Sequence, residues 1–115
     1  LYKVLNHLAM TAEGALYGFP ENDPPATQTI NKIGFNAFVA QGFMSHDLAA
    51  PVPGPEIPDD GPLPEAFLRI RNAISDFQNF TGELYPHFAY GNLTYDQWEL
   101  ANAFHIADHF SSLTY

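Results

Sequence analysis

With 115 residues, no cysteine and 13 acidic against 4 basic side chains, the chain is sized for one domain around one core and carries a formal charge of -9. A surface so short of Lys and Arg repels phosphate backbones, which argues against nucleic-acid binding. The absence of Cys removes disulfide frameworks, thiolate nucleophiles and Cys-type zinc sites, so any metal must be held by His and carboxylates.

No apolar run approaches the roughly 18 residues that cross a bilayer, and LYKVLNHLAM lacks the basic flank and cleavage site of a signal peptide. The expectation is a soluble protein with no membrane partner, with the cytoplasm favoured. The sequons at Asn79 and Asn92 are at chance frequency, and the acidity also suits a salt-adapted proteome.

The chain starts at Leu1 already inside a helical pattern, Val4, Leu5, Leu8, Ala12, Ala15 and Leu16 recurring at three- and four-residue spacings, which suggests that residues precede it. This first helix is expected to run to about Tyr17, where Gly18 and Pro20 stop it. After the polar turn ENDPPA, a second helix is predicted from Thr27 to Phe43, with Ile30, Ile33, Ala37, Phe38 and Met44 as its apolar positions.

Residues 51–64, PVPGPEIPDDGPLP, contain six prolines and read as an extended connector with few partners of its own. Pro64 and Glu65 suit the first turn of a third helix whose core stripe is expected at Leu63, Phe67, Ile70, Ile74 and Phe77. Glu65 and Arg69 form an i,i+4 pair on its exposed side, and Gly82 is its expected stop. Thr94 followed three residues later by Gln97 is a capping box, which opens a fourth helix predicted to reach about Leu113. No stretch alternates as a strand, so the fold class is all-α, an up-down helical bundle formed by residues 1–115 as a single domain.

Within ANAFHIADHF, His105 and His109 are four apart and therefore neighbours on one helix face, beside Trp98, Ala101 and Ser112. Two imidazoles at this spacing converge on one ion, although a buried His satisfied by a hydrogen bond is the commoner fate. This is not the H-E-x-x-H zincin arrangement, because Ile106 follows His105 and offers no general base. His7, at the edge of the first helix's apolar face, is the candidate third ligand. Three nitrogens would leave a coordination position open, the pattern of a catalytic site. Asp108 is a candidate orienting carboxylate or a solvent-facing residue. His46 reads as a solvated turn residue without a role, and His87 as a residue that fixes its turn through backbone hydrogen bonds.

Several stretches carry a resemblance to a known family. NHLAM, GFMSHDLAAPVPGPEIP, HFAYGNLTYDQW and HIADHFSSL follow one another as do the motifs of the DUF1569 domain, within the DinB-like helical bundle superfamily. Two departures stand out: Phe88 where the family usually has Pro, and Asp108 where it often has a further His. The resemblance implies a DinB-like bundle whose first helix would precede Leu1, with a metal triad at His7, His105 and His109. It further implies a divalent ion, Zn or Ni, and chemistry of the hydrolase or thiol-transferase kind on a small-molecule substrate or thiol cosubstrate. The alternatives are a non-catalytic interaction or assembly subunit with a structural or vestigial His site, its bundle completed by a homodimer partner or another subunit, and a metal scavenger.

Overall fold

A computed structural model of the chain describes residues 1–111. Among them are four helices: α1 (Tyr2–Tyr17), α2 (Pro25–Gln41), α3 (Leu63–Asn79) and α4 (Tyr95–Ser111). The described residues contain no strand, only an isolated antiparallel bridge between His87 and Gly91. The protein is an all-α bundle. None of the described helices is long and apolar enough to cross a membrane.

The helix boundaries follow from local chemistry. Gly18 adopts φ 80° after the last residue of α1, and its N–H closes on the Gly14 carbonyl. α2 begins two residues before the expected Thr27, because Pro25 fits a first-turn position that needs no N–H partner. It ends on Gly42, whose left-handed φ of 89° is accessible without a Cβ penalty. Ahead of α4 the reciprocal capping bonds are both formed, Gln97 N–H to Thr94 Oγ1 at 3.2 Å and Thr94 N–H to Gln97 Oε1 at 2.9 Å. The expected end of α4 near Leu113, and Ser112, lie outside the described residues. α3 stops at Asn79, before the expected Gly82, when Phe80 turns to extended backbone.

The main core lies where α1 packs on α3, with Leu5, Leu8, Ala9 and Ala12 against Ala66, Ile70 and Ala73. This corrects the expected α3 stripe. Leu63 and Phe67 are 40% and 49% exposed, while Ala66, Ile70, Ala73 and Phe77 face inward. Two stripes at helical spacing overlap on α3, and the alanines of α1 favour the one whose small side chains let the helices approach closely. The Glu65–Arg69 expectation fails for the same reason. Arg69 instead reaches across to α1, donating to Glu13 at 3.1 and 2.7 Å and to Asn6 Oδ1 at 3.0 Å. This charge-assisted fork raises the guanidinium pKa above its ordinary value, the Glu13 hydrogen bond being the largest cause.

On α2, Ile30 and Ile33 are 69% and 67% exposed, and the residue that anchors the helix is Phe35, fully buried with Met44 and Ala101 and stacked on Tyr90. Asn31 Nδ2 and Lys32 Nζ donate to the Ala89 and Asn92 carbonyls at 3.0 and 2.9 Å, so the α3–α4 segment ties α2 to the bundle. A third cluster of Ala15, Phe77 and Trp98 closes the other end, with Trp98 Nε1–H donating to the Tyr85 carbonyl at 3.1 Å.

The Pro-rich connector has more partners than its composition suggests. Val52 is buried, Lys3 on α1 pairs with Asp59 at 3.1 Å, and a Cβ on Gly54 would meet Met10 Sδ at 2.7 Å. It is a strap laid along α1.

Candidate metal centre

α1 brings His7, and successive turns of α4 bring His105 and His109, to one point inside the bundle. The Nε2 atoms of His7 and His105 are 2.9 Å apart, and those of His105 and His109 are 3.1 Å apart. All three donor nitrogens lie within 4.8 Å of one another. The three residues expected from the sequence to form a triad are therefore together in space.

The contacts among them pose a valence problem. A neutral imidazole nitrogen offers one in-plane site, either an N–H or a lone pair. His105 Nε2 faces two other Nε2 atoms and can satisfy only one as a hydrogen bond. One cation accepting lone pairs from all three removes the conflict. The two spacings at His105 agree: with metal–nitrogen distances of about 2.0–2.1 Å, neighbouring ligand atoms stand roughly 2.9 to 3.4 Å apart.

The electrostatics favour the ligating, uncharged form. Burial, reinforced by the neighbouring histidines, holds His7 down to about 4 and His105 down to about 2 from the usual 6.5. His109 is lowered by burial and by His46, against an opposing pull from Asp108.

His46, expected to be a solvated turn residue, is instead at the site. It follows α2 and is half-buried, with its Nε2 3.3 Å from His109 Nε2. One oxygen of Asp108 holds it twice, accepting from its backbone N–H at 3.0 Å and pairing with its Nδ1 at 2.5 Å. Asp108, a candidate partner for a histidine of its own helix, thus pairs with His46 as well as acting electrostatically on His109. Nothing in the local sequence marks this pairing, because the two residues are 62 positions apart and meet only when the segment after α2 folds over α4.

His87 does fix its turn, as expected. Its Nδ1 accepts from the backbone N–H groups of Ala89 and Tyr90 at 3.0 and 3.3 Å. Two donors at Nδ1 place the ring proton on Nε2. The ring is 5% exposed, and burial holds it neutral, its pKa lowered to about 3.

Two cavities flank the histidines. One of about 340 Å³ is lined by His7, His46, His87 and His105 together with Asp23 and Asn31. The other, about 570 Å³, lies between α1 and the strap and reaches His7 and His109 beside Met10, Val52 and Ile57. The histidines are therefore reached from two sides, by a cavity that includes His46, His87 and His105 and by one walled by the strap.

No curated protein and no solved structure matches this chain. A family described as protein of unknown function, DUF1569, matches residues 1–115. The chain belongs to the DUF1569 family.

Proposed function

We propose that the protein is a divalent-metal-dependent enzyme, a hydrolase or thiol transferase of a small molecule, with His7, His105 and His109 as metal ligands. The observation that carries this reading is the convergence of three histidines in which His105 Nε2 stands at ligand-to-ligand spacing from both His7 Nε2 and His109 Nε2. Zn and Ni both suit an imidazole donor set. Bound there, the ion would supply Lewis-acid activation of a nucleophile or an electrophilic oxygen.

The chain's own residues provide the rest of the reading. The 340 Å³ cavity is of small-molecule size, and it brings His87 to face His105. With its Nδ1 occupied by backbone donors, His87 offers a neutral Nε2–H as a fixed hydrogen-bond donor to an oxygen of the substrate. Asn31 and Asp23, hydrogen-bonded to the Ala89 and Phe88 carbonyls of the His87 turn, add polar groups to the lining.

A second reading is favoured by the apolar side chains left on the outside of α2 and α3, Ile30, Ile33, Phe67 and Leu68. In that reading the protein is a helical assembly subunit, its bundle completed by a second copy or another subunit, with a structural metal at the same histidines.

Elemental analysis of protein purified without a His-tag or added metal tests the proposal, wild type beside His105→Ala and His109→Ala. Near-stoichiometric metal in the wild type, lost in both variants, is the expected outcome, and turnover of ester, amide or thiol-transfer substrates by the loaded protein then separates enzyme from assembly subunit. A wild type that takes up neither Zn nor Ni on incubation overturns the metal reading.

A further inference from the structure

Resting on the three-histidine reading, we infer that the metal has a fourth nitrogen ligand, His46, delivered by the segment between α2 and the strap and locked in place by Asp108. The geometry that carries this is a symmetry within the cluster. His7 stands with its ring 4.8 Å from that of His105 and 4.8 Å from that of His109, at interplanar angles of 70° and 66°. His46 stands with its ring 5.0 Å from that of His105 and 4.9 Å from that of His109, at 66° and 72°. The pair on α4 is thus flanked by two imidazoles in equivalent relation to it, one from α1 and one from the segment after α2.

The atoms agree with the rings. His46 Nε2 lies 3.3 Å from His109 Nε2, within the roughly 2.9 to 3.4 Å expected between two ligands of one ion. His46 Nδ1 pairs with the Asp108 carboxylate, which assigns the ring proton to Nδ1 and leaves a lone pair on Nε2, the atom that faces the cluster. A carboxylate on the distal nitrogen is the usual means by which a ligating imidazole is oriented and made more basic. The same carboxylate oxygen also accepts the His46 backbone N–H, so ring and main chain are held by one group.

The ligand set therefore draws on three separate stretches of chain: α1, α4, and the irregular backbone that leads into the strap. Metal binding ties that backbone to the bundle. With His46 bound, a substrate would meet the ion at a fifth coordination position, an expansion open to zinc, and His46, the one ligand not carried on a helix, is the one that strap movement would reposition.

Cobalt(II) titration of the metal-free protein, read by its visible ligand-field bands and confirmed by X-ray absorption, tests this on wild type, His46→Ala, Asp108→Asn and His105→Ala. The expected result is four imidazole nitrogens on the wild-type cobalt, a changed band in His46→Ala with affinity lower by 10- to 100-fold, a smaller loss in Asp108→Asn, and no stoichiometric binding by His105→Ala. Three imidazoles in the wild type, or a His46→Ala band and affinity indistinguishable from it, overturns the fourth ligand while leaving the triad intact. No cobalt uptake by the wild type overturns both. The wild-type nitrogen count needs no variant, so it decides the matter even if His46→Ala fails to fold.

Discussion

A histidine kept neutral by burial costs the fold stability only when the solvent is acid enough to protonate its unfolded counterpart. His87 is such a residue, with its pKa lowered to about 3 by desolvation. Below pH 6.5 the unfolded state binds a proton that the folded state does not, so stability is full above that pH. It then falls as pH drops, by about 1.4 kcal/mol per pH unit until the folded ring itself titrates. His7 and His105, lowered to about 4 and about 2, act in the same direction. Urea unfolding of metal-free protein between pH 7.5 and 4.5 should show the summed slope of these histidines, and His87→Asn should reduce it by about 1.4 kcal/mol per pH unit. A wild-type stability that does not change over this range would contradict a buried, neutral His87. At this scale the sequence identified His7, His105 and His109 from one helical spacing and one stray imidazole, and identified the turn-fixing role of His87. It could not identify His46, since the carboxylate that makes it a site residue is remote in the chain.

Helix propensity and packing can be set against each other at two glycines. Gly34 lies in α2 with nothing near the position its Cβ would take, so Gly34→Ala should raise stability by roughly 0.5–1 kcal/mol, as in an isolated helix. Gly14 lies in α1 beneath the Phe19 ring, where a Cβ would stand 2.0 Å from Cζ. There the same substitution must displace the ring, and Gly14→Ala should cost roughly 1–3 kcal/mol despite the better propensity. Thermal melts of the two variants should move in opposite directions, and a common direction would contradict this packing. Element boundaries were mostly readable because they depend on neighbours in sequence: the Thr94–Gln97 box, Gly18 and Gly42 each act within one turn. Element faces were less so. The apolar residues of α2 and α3 occupy more than one side of each helix, and which side turns inward depends on the partner surface.

At the scale of the molecule, a bound metal should act as a staple. An ion held by His7, on the helix that packs against α3, and by His105 and His109 on α4 would join those elements, so its removal would weaken the contact between them. Metal present at 100 times its dissociation constant adds about 2.7 kcal/mol of stability, roughly 10 °C in melting temperature for a domain of this size. Calorimetry before and after chelation should show that difference, reduced in His109→Ala, and equal melting temperatures would oppose a metal bound in the folded state alone.

The all-α class, the four helices and the three histidines that converge were legible in the sequence itself, because periodicity, capping and i,i+4 spacing are properties of a chain and its near neighbours. What the tertiary structure decided was every relation across distance. The Arg69 fork to Glu13 and Asn6 replaced a same-helix pair, the strap became the wall of a cavity, and Asp108 turned to His46. Those choices follow from close packing, which selects among faces of comparable hydrophobicity, and from the need of each buried charge or polar group for a partner wherever in the chain that partner lies.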